Sequence, residues 1–152
     1  MKAGLIGLGA MGQGMARNVA KAGLLSAVYN RTRNKADVLA TEINIKSCDS
    51  PQQLAEQVDI VLICVSADED VLQMVTAVSE TIKPGSIVID MSTVSSETAK
   101  KASAILLEKQ VSFLDAPVSG GVEGAKNGAL AIMVGGEETS LEKSRPVLAA
   151  MS

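Results

Sequence analysis

Residues 5–15, LIGLGAMGQGM, limit what this chain can fold into more than any other stretch. Lys2 to Leu8 is a continuous apolar run ending in glycine, the pattern of a buried strand. Met11, Met15, Val19 and Ala22 then recur at four- and three-residue spacing, as one face of a helix does. Gly7, Gly9 and Gly12 stand between them at G-x-G-x-x-G spacing, and each has its own job: a tight turn, close approach of a ligand to the backbone, and close packing of helix on strand. The helix starting near Met11 aims its unpaired N–H groups and positive dipole end at that turn. Gly7, Leu8, Gly9, Ala10, Met11 and Gly12 are therefore the candidate residues for holding a pyrophosphate. A glycine-rich turn alone is a weak signal; the strand before it and the helix after it supply the confirming context of a dinucleotide site.

The same alternation continues along the chain. Ser26 to Tyr29 reads as a second strand after a stop at Gly23, Lys35 to Thr41 as a short helix and Ile43 to Lys46 as a weak third strand. Ser50-Pro51 offers an N-cap followed by proline at the first helical position. Residues 59–65, DIVLICV, are apolar without alternation, as in a parallel strand buried on both faces at the centre of a sheet. Asp68 is placed to cap a helix carrying Val71, Met74, Val75 and Val78, and residues 83–86, KPGS, turn into the strand Ile87 to Ile89. Ser95 is placed to cap a helix with Ala99, Ala102 and Leu106 inward. Val111 to Leu114 and Leu130 to Val134 read as two further strands. Strands alternating with helices over short joints imply an α/β fold with a doubly wound, mostly parallel sheet and right-handed crossovers. No repeat, low-complexity tract or linker divides residues 1–152, so a single domain is expected.

Composition narrows the function classes. A chain of 152 residues is long enough to bury a sizeable core. With Tyr29 and Phe113 as the only aromatics, that core must be built from aliphatic residues and seven methionines. The net charge is −3, and no basic cluster exceeds residues 31–33, RTR, which argues against a nucleic-acid partner. No apolar stretch approaches the ~20 residues needed to cross a bilayer, and the N-terminus lacks the order of a signal peptide, so no membrane partner and a cytoplasmic location are expected. Cys48 and Cys64 form no metal-ligand spacing, and a chain without histidine makes a poor metal site. The absence of histidine also removes the commonest general acid–base residue.

At the end of the second strand, where a dinucleotide site usually places an acidic residue, this chain reads Asn30-Arg31. A carboxylate there accepts hydrogen bonds from the ribose hydroxyls and repels a 2′-phosphate; Asn30 removes that repulsion. Arg31, with Arg33 as a second candidate, can pair with the extra phosphate through its guanidinium fork, and Thr32 can add a hydroxyl donor. NADP is therefore favoured over NAD.

Three stretches taken together are more specific than the glycine turn: residues 4–18, GLIGLGAMGQGMARN; residues 90–100, DMSTVSSETAK; and residues 113–136, FLDAPVSGGVEGAKNGALAIMVGG. They resemble the β-hydroxyacid dehydrogenase family, which includes 3-hydroxyisobutyrate dehydrogenases, tartronate semialdehyde reductases and glyoxylate/succinic semialdehyde reductases, with 6-phosphogluconate dehydrogenases as more distant relatives. The resemblance covers nearly the whole chain. It implies hydride transfer between a nicotinamide cofactor and a small hydroxyacid or semialdehyde in a homo-oligomeric enzyme. It puts Val65-Ser66 and Ser92-Thr93 beside the nicotinamide ribose and ring, with Thr93 touching cofactor or substrate unless its hydroxyl only caps a helix, a role Ser95 fits better. Ser119, Gly120 and Gly121 would bind the substrate carboxylate and hydroxyl, consecutive N–H groups beside a hydroxyl forming a small anion cradle. Ala129 stands where many relatives have threonine.

The family's acid–base lysine lies in a helix that links this domain to an all-helical second domain, beyond Ser152, and the spacing of Lys126 does not match it. No catalytic residue is therefore expected within residues 1–152. Residues 146–151, PVLAAM, are apolar, and an intact relative would cover that face with more protein. Two readings follow: the cofactor-binding domain of an NADP-dependent hydroxyacid dehydrogenase, or a complete, non-catalytic nucleotide-binding or dimerising module whose exposed apolar terminus pairs with another copy.

Overall fold

The computed structural model describes residues 1–152. Six parallel strands form the central sheet: β1 (Ala3–Ile6), β2 (Leu25–Tyr29), β3 (Lys46–Ser47), β4 (Ile60–Ile63), β5 (Ile87–Asp90) and β6 (Ser112–Asp115), in the order β3-β2-β1-β4-β5-β6. Helices α1 (Ala10–Lys21), α2 (Arg33–Ile43), α3 (Pro51–Ala55), α4 (Asp68–Ser79), α5 (Ser96–Leu107), α6 (Gly121–Lys126) and α7 (Glu138–Met151) cover both faces, and a hairpin of β7 (Val118–Ser119) and β8 (Ala131–Ile132) follows β6. This is the doubly wound Rossmann arrangement that the alternating pattern predicts, and its strand order reverses between β1 and β4.

The period-two geometry of the strands explains how one sheet sustains two cores. Ile60 and Leu62 of β4, with Ile87 and Ile89 of β5, point to the face covered by Met15 and Val19 of α1, Leu39 of α2 and Met151 of α7. Val61, Ile63 and Val88 point to the other, against Leu54 of α3, Val71 and Val75 of α4 and Leu106 of α5. Every residue of β1, β4 and β5 is buried; β1 and β4 read as unbroken apolar runs, and β5 is apolar up to Asp90.

Four expectations need correction. The third strand is Lys46–Ser47, because α2 runs on through Ile43 and Asn44 closes it in the left-handed conformation (φ 56°). Leu130–Val134 does not extend the main sheet: only Ala131–Ile132 is extended, paired antiparallel with Val118–Ser119. The 11-residue link, with a six-residue helix in it, turns back as a hairpin, whereas a parallel return needs a longer crossover. Reciprocal backbone bonds between Asp115 and Gly135, 2.9 and 2.8 Å, hold this hairpin to the end of β6. Asp68 does not cap its own helix. Ala67 occupies that position, and the Asp68 carboxylate serves the next helix, accepting from the Ser95 N–H, Ser95 Oγ and Thr98 Oγ1 at 3.0, 3.0 and 2.7 Å. Finally, the apolar run near the C-terminus is exposed only in part: Val147, Leu148 and Met151 are buried, the Leu130 N–H donating to the Met151 carbonyl, while Pro146 and Ala149 face solvent.

Candidate functional site: the cleft at the strand-order reversal

The C-terminal ends of β1 and β4 diverge onto loops bordering a cleft of about 260 Å³. Open α/β sheets bind ligands at this topological position. Two of the three glycines are positions where no side chain fits the turn. Gly7 lies at φ +101°, and a Cβ there would sit 2.0 Å from the Cys64 carbonyl oxygen of β4's loop; one on Gly12 would sit 2.0 Å from the Gly7 carbonyl oxygen. A Cβ on Gly9 would meet nothing within 4 Å. Two glycines thus let strand and helix close on each other, and the third leaves bare backbone facing open space at the start of α1. That combination fits a pyrophosphate, whose oxygens need main-chain donors and no intervening side chain.

Asn30 completes the turn from the end of β2. Its Oδ1 accepts from the Leu8 N–H at 2.8 Å, and its Nδ2 donates to the Thr32 carbonyl at 3.0 Å, so one amide braces two loops. Gln13 Nε2 donates to the Leu8 carbonyl at 3.1 Å from the other side. Arg31 reaches across the cleft to α4, where its Nη2 lies 3.2 Å from Asp70 Oδ1 and 3.3 Å from Gln73 Oε1. Arg33 turns away from the cleft and pairs with Asp49 and Asp37.

Gly7, Leu8, Gly9, Asn30, Arg31, Thr32, Val65 and Ser66 all line this one cleft. Ala10, Met11 and Gly12 lie just behind it in the first turn of α1. Tyr29, Lys35, Cys64, Asp70 and Met74 also line it, and sequence reasoning missed them. Lys35 had a signal, a basic residue opening a helix beside Arg31. Asp70 had none, since its partner is 39 residues away.

The loops after β4 and β5 are joined by a chain of hydrogen bonds. The Val65 N–H donates to Ser92 Oγ at 2.9 Å, and the Ser92 N–H donates to Asp90 Oδ1 at 3.0 Å. Asp90 is fully buried, and burial pushes its carboxyl up to about 6. Burial also pushes the Cys64 thiol up to about 11, so it stays protonated at neutral pH. Thr93 is exposed beyond this chain and caps no helix; Ser95 caps α5, its Oγ accepting from the Thr98 N–H at 3.2 Å.

Ser119, Gly120 and Gly121 lie apart from the cleft, at the join of β7 and α6. Gly120 (φ +133°) and Gly121 (φ +61°) adopt backbone conformations that favour glycine, and all three residues are exposed. Their helix is held to α1. A Cβ on Gly14 would sit 2.9 Å from backbone atoms of Ala125 and Lys126, and Asn18 Nδ2 donates to the Ala125 carbonyl at 2.7 Å.

Fold and cleft together define a nicotinamide-dinucleotide-binding Rossmann domain. The chain belongs to the family described as the NAD binding domain of 6-phosphogluconate dehydrogenase, whose model matches residues 2–152. An uncharacterised oxidoreductase of Shewanella frigidimarina (strain NCIMB 400) is 39% identical over 99% of this chain and 53% of its own length. The NAD-dependent L-serine dehydrogenase of Pseudomonas aeruginosa is 36% identical over 96% of this chain and 50% of its own. Among solved structures, Mycobacterium tuberculosis 3-hydroxyisobutyrate dehydrogenase with L-serine superposes with a TM-score of 0.94 at 33% identity, over 99% of this chain and 52% of that one. The chain spans about half the length of these relatives.

Proposed function

We propose that residues 1–152 are the cofactor-binding part of a β-hydroxyacid dehydrogenase that takes NADP in preference to NAD. The bound nicotinamide would accept or give the hydride exchanged with a small hydroxyacid or semialdehyde. The N–H groups of Gly9 to Met11 would hold the pyrophosphate, Asn30 would keep the turn in shape through the Leu8 N–H, and Val65, Ser66 and Thr93 would border the nicotinamide half. Ser119, Gly120 and Gly121 would supply the substrate's anion cradle. Proton transfer to the substrate oxygen falls to a lysine that no position in residues 1–152 matches. A cytoplasmic location and a homo-oligomeric assembly are part of the same proposal.

One observation carries the cofactor preference. Asn30, directly after β2, presents an amide, already bonded to the Leu8 N–H, where a carboxylate would repel a 2′-phosphate, and Arg31 and Lys35 line the same cleft. The Pseudomonas aeruginosa relative is named for NAD, so the preference must be measured on this chain. Calorimetric titration should give tighter binding of NADPH than of NADH. Arg31→Ala should weaken NADPH about tenfold to hundredfold, the loss of one charge-assisted phosphate contact, and leave NADH nearly unchanged. Equal affinities in the parent chain would refute the preference.

A further inference from the structure

We infer that Asp70 is a specificity-determining residue, a counter-ion that holds Arg31 across the cleft and must release it before a 2′-phosphate can bind. The inference rests on the proposed role of Arg31 and adds a competitor to it. In the structure the Arg31 guanidinium is not idle: Asp70 and Gln73, one turn apart on α4, hold its Nη2 at 3.2 and 3.3 Å. The arginine is mostly exposed (68%), whereas Asp70 is more enclosed (27%) and lines the cleft itself.

The neighbouring acids are placed differently. Asp68, Glu69 and Asp70 form the first turn of α4, where all three favour the helix dipole. Asp68 is taken up by Ser95 and Thr98 of α5. Glu69 is exposed and forms no ion pair. Only Asp70 meets Arg31. The charged side chains lining the cleft are Arg31, Lys35 and Asp70, and Lys35 has no carboxylate partner. An incoming phosphate monoester, carrying about −1.5 to −2 at neutral pH, therefore finds its best ligand already held by a carboxylate. A ligand without that phosphate leaves the pair undisturbed. Asp70 thus narrows the gap between the two cofactors, and Arg31 opens it.

Adenosine 2′,5′-bisphosphate and AMP isolate this term, because they differ only in the 2′-phosphate. At low ionic strength, Asp70→Asn should raise the affinity for the bisphosphate about three- to fivefold and leave AMP unchanged. Glu69→Gln, which removes a charge from the same turn without touching Arg31, should change neither. In an Arg31→Ala background, Asp70→Asn should have no effect. If Arg31→Ala abolishes the preference for the bisphosphate while Asp70→Asn leaves it unchanged or lowers it, the Asp70 inference is wrong and the role of Arg31 stands. If Asp70→Asn and Glu69→Gln act alike, or Asp70→Asn still acts without Arg31, the effect is diffuse charge and the counter-ion is refuted. If Arg31→Ala leaves the preference intact, the underlying cofactor reading fails, and this inference with it.

Discussion

Asp90 ends β5 with a carboxylate that is fully buried, one oxygen accepting the Ser92 N–H and the other without a hydrogen-bond partner. Burial is the main reason its pKa rises to about 6; the Ser92 bonds act the other way, and the charges of Asp115 and Asp68 add to the rise. An unfolded aspartate titrates near 4, so between those values the folded chain binds the proton and the unfolded chain does not. This contribution to stability is fully present below about pH 4 and is lost as pH rises through about 6. Asn in place of Asp90 can still accept the Ser92 N–H and has no charge to bury. Asp90→Asn should therefore stabilise the domain by about 1–3 kcal/mol at pH 8 and by little at pH 4. Thermal melts across that range test it; a variant less stable than the parent at pH 8 would show that the buried charge is compensated. Gly7 and Gly12, by contrast, needed no structure to be understood. Their spacing already named the jobs that the 2.0 Å approaches make visible.

At the scale of elements, the contact that sequence periodicity could not foresee is α1 against α6. Gly14 lies outside the G-x-G-x-x-G spacing, yet it lets α6 approach until backbone atoms of Ala125 and Lys126 would touch a Cβ. Asn18, one turn on, shares its two N–H groups among the carbonyls of Gly14, Ala125 and Lys126 at 3.1, 2.7 and 3.2 Å. Helix α6 is six residues long and too short to hold itself, so these donors fix the helix that follows Ser119–Gly121 relative to the helix that follows Gly7–Gly9. Asn18→Ala should lower stability by about 1–3 kcal/mol, the cost of leaving partly buried carbonyls unpaired. Denaturant unfolding measures this, and an unchanged midpoint would mean that water replaces the amide without loss. The same scale shows where pattern reading stops. Long buried strands such as β4 announce themselves, whereas two-residue strands such as β7 and β8 carry no period, and their pairing is set by the Asp115–Gly135 bridge.

For the molecule as a whole, the doubly wound class and the place of the cleft at the strands' C-terminal ends follow from the alternation of elements and the handedness of their crossovers, and both were legible in the sequence, whereas the strand order comes from the structure. The cleft's first border, Gly7 to Gly9 with Asn30 to Thr32, was legible too, because local chain chemistry demands it. Its far border was not: Asp70 and Met74 come from α4, and only folding brings them opposite Arg31. Resemblance to a family located Ser119–Gly121, which no local pattern would have separated from an ordinary glycine turn. The central claim is that bare main chain at the first strand-to-helix junction receives a diphosphate. A crystal structure of the chain grown with NADPH tests it most directly. The account predicts pyrophosphate oxygens within about 3 Å of the N–H groups of Gly9 to Met11. Cofactor bound elsewhere, with that junction left in contact with solvent, would contradict it.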